Sequence, residues 1–157
     1  MRGNEKVLAY LNEVLKAELT AINQYFLHAE MCDNWGYKRL GDYTKKESID
    51  EMKHAEALIE RILLLEGTPV MHELFALKIG ATVKEQIEND LALEVAAVAR
   101  LNSAIRTAVE AGDNGSRDLF EKILTDEEGH VDWLEAQLHM IQEVGVENYL
   151  ARQMHED

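Results

Sequence analysis

Apolar residues recur at three- and four-residue steps over four long stretches, the period of a helix with one buried face. Residues 5–34 carry Leu11, Val14, Ile22 and Tyr25 on one stripe, and residues 38–66 carry Leu58, Ile62 and Leu65. A third stretch covers residues 83–111. The fourth follows the turn signal "GDNGS" at 112–116, where Ser116 is placed to cap it, and aligns Phe120, Ile123, Leu134, Leu138 and Ile141. A short fifth helix is expected after Gly145. One proline and few interior glycines leave little to break these helices. The pattern predicts an all-α, four-helix bundle in one domain spanning residues 1–157.

The connections refine this. "NWGYK" and "GDNGS" are short, so the first two helices and the last two form antiparallel hairpins. Residues 67–82 make a longer link. Sixteen extended residues reach roughly 50 Å, and a thirty-residue helix is roughly 45 Å long. The link is therefore long enough to run the length of the bundle as a crossover.

The apolar stripes are interrupted by ionisable groups. Glu18 breaks the first, Glu51 and His54 the second, Glu94 the third in "LALEVAAVA", and Glu127 and His130 the fourth. Burying unpaired carboxylates is costly enough that such groups pair, neutralise or bind a cation. A lone histidine on an apolar face is more often a satisfied core residue. Salt bridges to Lys46, Lys53 or Arg61 would also explain acids, but those bases fall on other faces. The spacing argues further. Glu18 to Glu51 and Glu94 to Glu127 are both 33 residues, and each hairpin carries one Glu-x-x-His. A shift of 76 residues carries the first set onto the second. Four carboxylates and two imidazoles suit a pair of hard-to-borderline divalent cations, iron or manganese. They are the ligand set of ferritin-like dimetal bundles, a match of recognition as well as of chemistry.

Composition narrows the function. A net charge of −14, from 30 acids against 16 bases, argues against nucleic acid as partner. The single Cys32 excludes an intramolecular disulfide framework and a thiolate zinc cage. No apolar run approaches membrane-spanning length, and the first residues lack the apolar core of a signal peptide. A cytoplasmic location is expected.

The segments "NEVLKAELTAINQYFLHA", "NWGYKRL", "ESIDEMKHAE", "LIERILLLEG", "SRDL", "DEEGHVDWLE" and "VGVENYL" resemble the bacterioferritin family over nearly the whole chain. The resemblance implies a ferritin-like four-helix bundle with a long crossover and a short fifth helix. It implies dimers assembled into a 24-subunit shell that stores ferric mineral. The implied ferroxidase centre has Glu18 and Glu94 as terminal ligands, Glu51 and Glu127 as bridges, and His54 and His130 as one imidazole per iron. It would oxidise Fe(II) with dioxygen or hydrogen peroxide, the iron passing to the cavity or staying as a cofactor. Met52 would be the axial ligand of a haem b shared by two subunits, in a pocket of Leu19, Ile22, Asn23, Phe26 and Ile49. A ferredoxin would feed that haem electrons for iron release. Glu47 and Asp50 would form iron's way in from the cavity, and Asn34, Glu66 and Asp132 resemble residues lining a shell pore.

Three departures stand out: Lys46 where many relatives have a histidine, Gly129 where relatives usually have an acid, and "VMHE" at 70–73, with His72 exposed. Tyr25 is expected to support the centre by hydrogen bonding or radical chemistry, or simply to pack. His28, His139 and His155 have no partner at ligand spacing. The neighbouring alternatives are a haem-free ferritin, a rubrerythrin-like di-iron peroxidase, whose usual Cys-rich module this chain cannot build, and a scaffold holding structural zinc.

Overall fold

The computed structural model describes residues 1–155. Four long helices run as α1 (Glu5–Asn34), α2 (Lys38–Leu64), α3 (Val83–Glu110) and α4 (Asn114–Val144), and a short α5 spans Val146–Gln153. The fold is the expected ferritin-like bundle: α1 packs on α2 and α3, and α3 on α4. Asn4 opens α1 by accepting from the backbone N–H groups of Lys6 and Val7. Thr82 does the same for α3 through Glu85. The cap of α4 is Asp113 rather than Ser116. Asp113 accepts from the Ser116 N–H at 3.0 Å and from its hydroxyl at 2.7 Å, and Arg61 of α2 donates to both residues. Ser116 thus sits inside the first turn and serves the cap. Gly145 breaks α4 from α5 with φ of 83°, a left-handed value that glycine adopts without cost.

Residues 67–82 cross the bundle as an extended strap, held by a stripe on α1 that repeats every four residues. Asn12 donates to the Thr68 carbonyl and accepts from Val70 N–H. Lys16 stands over one position on the Phe75 ring and Arg100 over another, 4.3 and 4.7 Å from its centroid. Thr20 accepts from Phe75 N–H, Gln24 from Lys78 N–H, and His28 Nε2 from Gly80 N–H. His28, which has no partner at ligand spacing, has one across the bundle: its Nδ1 lies 2.9 Å from Asp90, which also accepts from Gln24.

The core is built as two apolar layers. One contains Leu11, Leu15, Leu58, Leu101, Phe120 and Ile123, and the other Cys32, Leu40, Ile87, Leu134, Ile141 and Tyr149. On each long helix one glutamate falls between the two: Glu18, Glu51, Glu94 and Glu127. No described helix is long and apolar enough to cross a membrane.

Candidate metal centre

Each of those four glutamates is at most 2% exposed. Helical periodicity alone puts them there, since each occupies the inward stripe of its own helix. The antiparallel hairpins then bring them to one level, together with His54 and His130. Two groups result. Glu18, Glu51, His54 and Glu127 place one donor atom each within 4.8 Å of one another, and so do Glu51, Glu94, Glu127 and His130. Glu51 and Glu127 belong to both groups.

The imidazoles are held in a defined orientation. His54 Nδ1 faces Glu127 at 3.3 Å and Glu18 and Glu51 at 3.6 Å, while its Nε2 meets Asp126 at 2.8 Å. His130 Nδ1 faces Glu51 at 3.2 Å and Glu94 and Glu127 at 3.7 Å, and its Nε2 is held by Glu47. Carboxylates outside the centre thus pin the outer nitrogens and direct the inner ones towards the carboxylate cluster. Tyr25 donates its hydroxyl to Glu94, one of the roles expected of it.

Apart from Asp33 Oδ1, which lies 3.9 Å from Lys38 Nζ, the polar accounting among the described residues is incomplete in one place. Buried atoms without a hydrogen-bond partner include Glu18 Oε2, both oxygens of Glu51, Glu94 Oε2, Glu127 Oε1, and Nδ1 of both histidines. Native proteins leave few such atoms, and those they leave call for an occupant. Lysine and arginine do not supply it: Lys53 pairs with Asp50 at 3.7 Å and Arg61 with Asp113 at 2.7 Å. The donor set and its orphaned lone pairs fit divalent cations, with Glu51 and Glu127 common to both donor groups.

Without metal, protons do part of that work. Burial lowers the pKa of His54, but the nearby carboxylates of Glu127 and Glu51 outweigh it and raise the value to about 10. His130 follows the same pattern through Glu127 and Glu47 and reaches about 12. Burial raises the Glu127 carboxyl, yet His130 and His54 bring it down to about 2. Glu51 is raised, by burial first and by the charge of Glu127 second. The metal-free centre therefore rests on imidazolium–carboxylate pairs.

An open basin of about 520 Å³ leads to the centre, bordered by Asp50, Asp126, His54, His130 and Gly129. Lys46 is not part of it. That lysine borders a separate outer cavity between α2, α4 and α5, and the basin's cation is Lys53. A Cβ on Gly129 would meet nothing within 4 Å, so packing does not require the glycine. Its effect is to leave the basin floor bare. Glu47 is tied to His130, and Asp50 stands on the basin's rim. Met52 is 44% exposed, about 100° around the helix from Glu51, with Ile49 and Phe26 similarly exposed. Asn23 is exposed too, whereas Leu19 and Ile22 pack partly into the core.

A ferritin-like domain profile matches residues 8–144. Bacterioferritins from Mycolicibacterium paratuberculosis and Mycobacterium avium are 52% and 51% identical over 152 residues, covering 97% of this chain and 96% of each relative. The chain belongs to the bacterioferritin family. A bacterioferritin from Streptomyces coelicolor extends the match beyond the mycobacteria, at 47% identity over 96% of this chain and 90% of the relative. Among bacterioferritin positions that sequence reasoning had not assigned, Asp126 is the clearest. It lies off the inward stripe and reaches His54 only through the packing of α4 on α2. Glu47 had a visible signal, one turn before Glu51 on the same stripe, but its bond to His130 had none.

Proposed function

We propose that this chain forms a single ferritin-like unit that stores and detoxifies iron in the cytoplasm. Its ferroxidase centre takes Fe(II) as substrate. The observation that carries the reading is the pair of overlapping four-residue donor groups with seven orphaned donor atoms. Glu18 and His54 bind one Fe(II), Glu94 and His130 the other, and Glu51 and Glu127 bridge them. The bridging carboxylates hold the two irons close and neutralise the charge added as each loses an electron. Asp126 and Glu47 keep the imidazoles aimed inwards. Asp50 and Asp126 draw the cation through the basin, and Glu47 acts as the partner of His130 as much as part of that path. Dioxygen or hydrogen peroxide accepts the electrons.

The family implies an oligomeric shell, and in this reading dimers assemble into 24 subunits around the ferric mineral. Met52 offers a soft thioether on an exposed, largely apolar face, which fits an axial ligand for haem b completed by a second copy. Such a haem supplies electron transfer, with a ferredoxin as donor, for reductive release of iron. Leu19, Ile22, Asn23, Phe26 and Ile49 would line its pocket, while Asn34, Glu66 and Asp132 would line a pore of the shell.

Stopped-flow oxidation of Fe(II) tests the centre. Glu127→Ala should slow the rapid phase at least about 100-fold, removing roughly 2.7 kcal/mol of barrier lowering. An unchanged rapid phase would refute the assignment. Size-exclusion chromatography read at protein and haem wavelengths tests the rest: a large, coloured particle is expected, and a small colourless dimer would remove both shell and haem.

A further inference from the structure

A second, smaller cavity adjoins the centre and has no part in the chemistry described so far. It measures about 20 Å³, room for about one water-sized molecule. All four long helices wall it: Tyr25 from α1, Tyr43 and Thr44 from α2, Asp90 from α3, and His130 and Leu134 from α4. It therefore opens directly onto a proposed iron ligand and onto the tyrosine bonded to another.

Most polar groups of these walls are already engaged. The Tyr25 hydroxyl is bonded to Glu94, and Asp90 Oδ1 accepts from Gln24 and pairs with His28. Glu47, also a wall residue, binds both His130 Nε2 and the Tyr43 phenol. What remains to face the space is mostly carbon. Water or hydrogen peroxide entering it would forfeit hydrogen bonds, a cost of the order of 1–3 kcal/mol per unsatisfied group. Dioxygen forfeits none.

The outer wall is an aromatic pair. The Tyr43 and Trp133 rings stack 3.9 Å apart at 14°. Both also border the outer cavity of about 880 Å³ between α2, α4 and α5. The stack thus stands between the outer cavity and the small one beside His130.

We propose that the small chamber is the docking pocket for dioxygen, with the Tyr43–Trp133 stack as its wall towards the outer cavity. This rests on the ferroxidase reading and adds to it how the oxidant is delivered: iron enters through the acidic basin, and the uncharged oxidant waits in a separate apolar space. One electron from each of two Fe(II) and two protons from solvent convert the dioxygen to hydrogen peroxide, leaving two Fe(III).

Filling the chamber tests the proposal. Thr44→Leu and Leu134→Phe each add carbon to its wall, and circular dichroism checks that each variant folds. The KM for dioxygen should rise at least about five-fold, with kcat at saturating dioxygen within about two-fold of wild type. Oxidation driven by hydrogen peroxide should keep its rate. An unchanged KM in both folded variants would overturn the proposal, and so would equal slowing with both oxidants. A second measurement needs no iron. Crystals of the metal-free wild type, pressurised with krypton, should show the gas in the chamber, and an empty chamber would overturn the assignment. Failure of the wild type to bind two Fe(II) per chain anaerobically would instead overturn the ferroxidase reading, a distinct result from a krypton-free chamber.

Discussion

Two buried polar clusters share the interior of this bundle, and they differ in how fully they are satisfied. Around His28, both ring nitrogens have partners, Asp90 Oδ1 takes two contacts, and the Gln24 amide both donates and accepts. Around Glu51, carboxylate oxygens and imidazole nitrogens lie unbonded among one another. Both clusters contain histidine and carboxylate, and both draw on α1 and α3. The first is complete as protein. The second is complete only with something added. Burial and residue type cannot separate a structural polar cluster from a binding site here, whereas the tally of unpaired atoms can.

Removing one member from each cluster should give opposite results. Asp90→Ala strands His28 and Gln24 and loosens the strap, so it should cost about 3–5 kcal/mol in denaturant unfolding of the metal-free protein. Glu51→Ala removes a carboxyl that burial and the charge of Glu127 disfavour, so it should cost less than half of that in the same measurement. Equal losses would erase the distinction.

The next largest effect is on pH. In the metal-free protein His54 and His130 are raised to about 10 and about 12, from an ordinary value near 6.5. Their contribution to stability is fully present below about pH 6.5 and declines as pH rises through the folded values. Metal must displace those same protons, so its affinity should move the other way. Titration with Co(II), a redox-quiet probe, should show affinity rising about ten-fold per pH unit for each proton released between pH 6 and 8. Metal-free unfolding followed over the same range should show stability falling relative to the metal-loaded protein. A pH-independent affinity would mean that the imidazoles are not ligands.

The smallest effect is expected at Gly129. With open space around a Cβ, Gly129→Ala should stabilise the protein by up to about 1 kcal/mol through helix propensity. Thermal unfolding would measure it, and a loss of stability would show that the bare backbone is needed there.

Much of this was legible in the sequence because it depends on period. The four long helices, the crossover and the inward set of Glu18, Glu51, His54, Glu94, Glu127 and His130 all follow from steps of three, four and 33 residues. The partners of those residues did not follow. Asp126 meets His54 across 72 residues, and His28 meets Asp90 across 62, at positions fixed by how helices pack. The cap of α4 was misplaced for a related reason: Asp113 and Ser116 both qualify by residue type, and Arg61 of another helix helps hold the pair. A period-four stripe, Asn12, Lys16, Thr20, Gln24 and His28, was visible on α1. Nothing in a single chain said that it would grip a strap.

That grip has a consequence for how the strap can change over time. α1 holds it through backbone N–H groups at Val70, Phe75, Lys78 and Gly80, which nearly every amino acid supplies. Path and side chain are thereby uncoupled. Leu74, Leu77 and Ile79 point outwards, each between 38% and 42% exposed. Their identities are free to drift to suit whatever lies against the bundle, while the route of the chain stays where it is. Two exceptions bound that freedom: proline, which at any of the four hooks would arrive without the hydrogen that the hook needs, and position 80, where a Cβ would come within 2.3 Å of the Gln86 backbone nitrogen, so that only glycine fits.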